Sequence, residues 1–120
     1  MLLSGQKLPF WILQMKRTEV WWVNFDPPVG GEIRKRRPAI IISINASNAV
    51  LNRVQVVPIS SQLEHIYISE TAITLNGEPR KAMADQITTV SKERIDSRIG
   101  SISAEDMQSV VQVVQHQLGI

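Results

Sequence analysis

The chain reads as a small, mainly β protein, a β-barrel or strongly curved sheet, that ends in one α-helix. Three observations point there. Short runs rich in Val, Ile, Trp and Thr recur between turn residues; no repeat or low-complexity tract breaks their succession; and helical spacing of apolar residues appears clearly only at the C-terminus. With 120 residues and a hydrophobic share of 43%, there is material for one domain around one core.

Glu19 to Phe25 (EVWWVNF) is rich in β-formers and reads as a strand. It ends at Asp26-Pro27-Pro28-Val29-Gly30-Gly31, where two prolines and two glycines make a helix or a continuing central strand implausible. Pro38 opens Ala39 to Ile44 (AIIISI), whose β-branched content suits a strand buried on both faces. Asn45 to Asn52 is turn-like, and Val54 to Ile59 (VQVVPI) is a third strand in which Pro58 signals an edge or a bulge. Tyr67 to Leu75 alternates in polarity and runs into Asn76-Gly77, a hairpin-turn pair. Lys81 to Val90 reads as one strand, Ser91 to Asp96 as a single helical turn, and Arg98 to Ile102 as a short strand.

The helix is the best-defined element. Ser103 is a suitable N-cap, with Glu105 and Asp106 in the positively polarised first turn. Met107, Val110, Val111, Val114 and Leu118 share one face, and Gly119 follows as a stop. That apolar stripe packs on the core or, alternatively, lines a dimer contact.

Met1 to Gln14 (MLLSGQKLPFWILQ) differs in character from the rest of the chain: it is a short apolar tract with Pro9 and no periodicity. It lacks the basic start, the longer apolar centre and the small-residue cleavage site of a signal peptide. Met15, followed at once by Lys16, Arg17 and a strand pattern, is expected to be the natural start, with 1–14 an upstream extension and 15–120 the domain. The alternative is that Phe10, Trp11 and Ile12 pack onto the domain as an extra segment.

Composition excludes several chemistries. Without Cys there is no disulfide framework, thiolate metal site or cysteine nucleophile. His65 and His116 stand far apart in no metal-ligand spacing, so neither a metal nor a cofactor is expected. No apolar stretch approaches the roughly 18 residues of a membrane span, and a cytoplasmic location is the expectation. The net charge is only +2, but Arg34, Lys35, Arg36 and Arg37 are contiguous while the acids are scattered. Such a run is either a solvated loop or a local site for phosphate.

Within that run Arg37 is the best candidate for chemistry, because it precedes Pro38 and so leaves the loop on restricted, extended backbone. A guanidinium held there can grip a phosphate at two points; otherwise it caps a strand or pairs with Glu32. Ser60 and Ser61 end the third strand with two hydroxyls able to donate to phosphate oxygens, though Ser-Ser is also ordinary turn chemistry. No nucleophile elbow surrounds either serine. Asp85, between Ala84 and Gln86 in an expected strand, is either a paired structural carboxylate or a functional one. Trp21 and Trp22 are candidate base-stacking rings, but neighbours in a strand face opposite ways, so at least one belongs to packing.

Taken in order, EVWWVNFDP, GGEIRKRRPAIIIS, VVPISS and KAMADQITTVSKERI followed by RIGSIS resemble the MazF/PemK (also called Kid) family of toxin ribonucleases. The resemblance runs from about Arg17 to the C-terminus. It implies an SH3-like barrel of the CcdB–PemK type with a terminal helix. It also implies a homodimeric, metal-independent endoribonuclease that cuts single-stranded RNA at short sequences, leaving 2′,3′-cyclic phosphate and 5′-OH ends. On this resemblance Arg37 matches the catalytic arginine before proline, and Ser60 stands where the family has a catalytic Thr. Asp85 aligns with the carboxylate of the Kid branch, but Met83 replaces its arginine and Gly31 its loop histidine. Glu32, Ser61 and Asp85 are therefore further candidates for catalysis or substrate binding, and Arg34, Lys35, Arg36 and Gln86 for RNA binding. The implied partner is a MazE-like antitoxin whose acidic tail covers the basic loop. Two rivals remain: a CcdB-like toxin that acts on gyrase without cutting RNA, and an inactive barrel that binds only the antitoxin.

Overall fold

A computed structural model describes residues 15–25 and 35–120. Within these residues seven strands, β1 (Glu19–Asn24), β2 (Arg36–Ile41), β3 (Arg53–Ser60), β4 (Glu70–Leu75), β5 (Glu78–Met83), β6 (Thr88–Ser91) and β7 (Ile95–Ser101), form one antiparallel sheet. The path is β4-β5-β3-β2-β1-β7, with β6 also paired to β3. Among the described residues two helices accompany it, α1 (Asn45–Val50) between β2 and β3 and α2 (Ala104–Leu118) at the C-terminus, with short 3₁₀ turns at Ala84–Gln86 and Lys92–Arg94.

The sheet is curled, and side-chain alternation fills both of its faces. Trp21, Val23, Ala39, Ile41, Val54 and Val56 point into one cluster, closed by Val90 of β6 and Ile95 of β7. Val20, Ile40, Val57, Ile59, Ile73 and Leu75 point into the other, which Met107 and Val110 of α2 cover. Ala39, Ile40 and Ile41 are fully buried, as expected for a run with apolar residues on both faces. The strand itself begins earlier than the sequence suggested, at Arg36, so the basic run feeds directly into the sheet.

Prolines decide where pairing stops. The β2–β3 ladder runs Ile41↔Val56, Ile40↔Val57 and Ala39↔Pro58, and Pro38 follows with no N–H to extend it. Ile42 donates to Gln55 O (2.9 Å) and Phe25 to Lys35 O (3.0 Å), so even-numbered residues of β2 turn toward β3. Pro38 thus presents its missing donor to β3. Pro58 lies between the last β6 pair, Val56↔Thr88, and the first β5 pair, Ile59↔Ala82, where β3 changes neighbours.

Several expectations needed revision. Asn45–Asn52 contains a six-residue helix rather than a simple turn. Its support is tertiary: the Asn48 amide donates to Ser43 O (2.9 Å), and buried Lys92 donates to Asn48 O. Lys81–Val90 is not one strand; Ala84–Gln86 breaks it, so β5 and β6 can pair with different stretches of β3. Asn76 and Gly77 form the expected hairpin turn, both with positive φ (52° and 80°), closing Leu75↔Glu78. For α2, Ser103 Oγ accepts from Asp106 N–H (3.1 Å) and Gly119 caps the end at φ 71°. Residues 1–14, and with them the expected domain boundary, lie outside the described residues.

Candidate active site

Where β2 enters the sheet and β3 leaves it, the parted strands border a cleft of about 580 Å³. The register that pairs Ala39 with Pro58, continued two residues, sets Arg37 opposite Ser60, and both line this cleft. Its apolar side consists of Ile59, Leu75 and Ile99, with Trp22 and Pro38 as a wall. Among the described residues its charge comes from Lys35, Arg36, Arg37 and Arg80, and no carboxylate lines it. Four cations around one recess, with strand-end hydroxyls, favour a phosphate-bearing ligand.

The cations are not equivalent. Arg36 donates from Nε and Nη2 to one oxygen of Asp96 (3.1 and 2.8 Å) and sits over the Trp22 ring, 4.2 Å from its centroid. Arg80 donates to Pro79 O beside it (2.6 Å). Arg37 is exposed and, among the described residues, has no hydrogen bond or ion pair from its guanidinium. None of the described residues takes up its donor fork.

Ser60 is buried, and its Oγ accepts the Gln62 N–H at 3.0 Å, a turn closed by the hydroxyl itself. That bond uses a lone pair and leaves the hydroxyl proton to donate. It also orients the side chain, supplying the restraint that a β-branched threonine would carry in its own methyl. On the other side of Ser60 the register partner is Lys81, whose Nζ is taken up by Glu70 Oε1 (2.9 Å) and His65 O (2.8 Å). This second lysine therefore does not compete with Arg37 for an anion.

Of the other sequence candidates, Lys35, Arg36 and Ser61 line the cleft. Asp85 and Gln86 do not; they are exposed on the 3₁₀ turn after β5, Asp85 near Ser69 Oγ (3.5 Å) and Gln86 near Met83 Sδ (3.6 Å). Glu32 and Arg34 lie outside the described residues, as does Gly31. The sequence did not single out Gln62, Arg80, Leu75 or Ile99. Arg80 was within reach, since it follows the Asn76-Gly77 turn at a countable offset, whereas Ile99 comes from β7 and reaches the cleft only through folding. Among the described residues no group of three His, Cys, Asp or Glu could hold a metal ion, and no helix is long and apolar enough to cross a membrane.

A curled antiparallel sheet with a C-terminal helix and an arginine–hydroxyl cleft defines a small barrel-type protein suited to gripping a phosphate chain. The chain belongs to the PemK-like, MazF-like toxins of type II toxin–antitoxin systems, whose family model matches residues 16–118. It is 31% identical over 116 residues to endoribonuclease MazF9 of Mycobacterium tuberculosis, covering 88% of this chain and 98% of that relative. It is 30% identical over 92 residues to the endoribonuclease toxin MazF of Escherichia coli K12, covering 74% and 80%. Among solved structures it is similar to a MazE–MazF crystal structure from Deinococcus radiodurans, with TM-score 0.76, 25% identity and coverage of 88% and 96%. A mycobacterial endoribonuclease in complex with its cognate antitoxin shares the fold at TM-score 0.73 and 20% identity, covering 88% and 96%.

Proposed function

We propose that this toxin is a metal-independent endoribonuclease that cuts single-stranded RNA, mRNA in particular, at short sequences. The observation that carries this is the register of Arg37 against Ser60 in one cationic cleft. Family membership and relatives named endoribonucleases support it.

The chemistry is an in-line transesterification. The ribose 2′-OH gives up its proton and forms an O2′–P bond; the P–O5′ bond breaks, and the departing 5′-oxygen takes a proton. The products are a 2′,3′-cyclic phosphate and a 5′-OH. Arg37 binds two oxygens of the phosphate and offsets the charge that builds on it, in a two-point contact that suits guanidinium geometry. Its high pKa makes it a charge stabiliser before anything else. Ser60 donates its free hydroxyl proton to a non-bridging oxygen. Lys35, Arg36 and Ser61 help to seat the chain, with Glu32 and Arg34 just upstream in the sequence as further contacts; Asp85 and Gln86 meet RNA outside the cleft.

The working unit is a homodimer in the cytoplasm, where its substrate is, and its domain begins at Met15. A MazE-like antitoxin inhibits it by laying an acidic tail over the cationic cleft. Solved complexes of related toxins with antitoxins support such a partner.

The test is cleavage of a long RNA with EDTA present, cut sites mapped by primer extension and end groups assigned chemically. Discrete cuts with cyclic phosphate and 5′-OH ends are expected. Intact RNA under all conditions, with antitoxin binding retained, would mean that the chain is an inactive antitoxin-binding barrel.

A further inference from the structure

The geometry points to Trp22 and Arg36, pinned by Asp96, as a stacking platform for one unpaired nucleobase of the RNA chain. It rests on the RNA-cleaving role proposed for the cleft and adds to it a base subsite beside the phosphate at Arg37 and Ser60.

Strand register supplies the platform. Trp22 pairs with Pro38 and Asn24 with Arg36, so Trp22, Pro38 and Arg36 share one face of the β1–β2 pair. Val20 and Ile40 lie further along the same face, buried in the cluster that α2 covers. At Trp22 that cover has ended: the ring is half-buried and lines the cleft. Trp21 faces the other way, into the opposite cluster. Only one of the adjacent indoles is therefore available to a ligand.

Arg36 is held in a manner that suits stacking rather than phosphate binding. Its guanidinium carbon lies 4.2 Å from the Trp22 centroid, while Nε and Nη2 are both committed to Asp96 Oδ2. The carboxylate offsets the charge and fixes the group over the ring; 42% of the Arg36 side chain remains exposed. A guanidinium plane and an indole are both surfaces on which unpaired bases stack. Arg37, the next residue, has no such carboxylate among the described residues. The two adjacent arginines thus divide the work, one presenting a plane to a base and the other a charge to a phosphate. A base within a duplex cannot reach this surface, so the platform selects single strands.

The experiment uses an RNA oligonucleotide spanning a mapped cut site, with 2′-deoxyribose at the cut nucleotide so that it binds without reacting, and a series lacking one base at a time. Binding is read by fluorescence anisotropy. Removing the base at one position next to the cut is expected to weaken binding to the wild type about ten-fold. The same removal should have almost no effect on Trp22→Leu or on Arg36→Met, a change at an exposed side chain that spares the core. Trp22→Phe should keep most of the penalty, and Asp96→Asn should lose part of it. If every abasic position weakens Trp22→Leu and Arg36→Met as much as the wild type, the platform is wrong even though the toxin binds and cuts RNA. A wild type that neither binds this oligonucleotide nor cuts its all-ribose counterpart overturns both the platform and the nuclease assignment.

Discussion

Arg37 and Ser60 stand two residues beyond the last pair of the β2–β3 ladder, on the register that joins Ala39 to Pro58. Pro38 ends the pairing between them, so the two side chains line a cleft instead of closing a sheet. In the proposed reaction a guanidinium and a hydroxyl carried on neighbouring strands act on one phosphate, and fixed donors of this kind are what electrostatic catalysis relies on.

Ser60→Ala removes one donor to the charged phosphate and should lower the single-turnover cleavage rate by about 10²–10³. Arg37→Ala should cost at least as much, and Ser60→Thr should stay close to the wild type because the hydroxyl remains. Far-UV circular dichroism on each variant checks the fold. Near-full cleavage by a folded Arg37→Ala protein would remove this arginine from the mechanism.

Lys81 and Glu70 form an ion pair with both side chains only 7% exposed. Lys81 also holds His65 O, and Glu70 accepts the Tyr67 N–H (2.9 Å), so the pair ties the 61–69 segment to the strand beside Ser60. Lys81→Met strands a buried carboxylate and should destabilise the fold by about 3–5 kcal/mol. Replacing both, as Lys81→Met with Glu70→Leu, should restore most of that loss. Urea unfolding of the single and double variants decides it; a silent single variant would show that water already reaches the pair.

Burial lowers the pKa of Lys92 from its ordinary value of 10.5. The folded protein therefore sheds this proton at lower pH than the unfolded chain does. Between the lowered value and 10.5 the unfolded state carries more protons, so the contribution of Lys92 to stability rises with pH and the penalty of its buried charge fades. Urea unfolding from pH 7 to pH 10 should show a positive slope in the wild type relative to Lys92→Met. Parallel curves for the two proteins would contradict the burial effect.

Ser103→Ala deletes the acceptor for Asp106 N–H at the start of α2 and should cost about 1 kcal/mol in urea unfolding. Asp106 also accepts Thr74 N–H (2.8 Å), so the first turn of the helix is tied to β4 as well. Ser103→Asp, another good cap, should retain wild-type stability; a loss as large as that of alanine would mean that the side-chain acceptor is not the source of the effect.

Much of the fold was legible because it depends on short-range physics. Helix α2 announced itself through its cap, stripe and stop; β1 and the buried part of β2 through β-branched and aromatic runs; the β4–β5 hairpin through Asn76-Gly77. The misread stretches depend on distant atoms. Helix α1 has weak helix formers and stands on Asn48 and on the ammonium of Lys92, 44 residues away. The break at Ala84–Gln86 exists because β3 gives one edge to two strands in turn. That break moved Asp85 from mid-strand to an exposed turn.

The site divides along the same line. Arg37 and Ser60 could be named from the residues, since a guanidinium before proline and hydroxyls at a strand end are local patterns. Their mutual placement, the capture of Arg36 by Asp96 and Trp22, and the partial exposure of Trp22 but not Trp21 were settled by folding alone. Residue types specify which groups are available and how the backbone bends nearby. Strand register and curl, which minimise exposed apolar area over the whole sheet, determine which of those groups share a cleft and which cations remain free to bind.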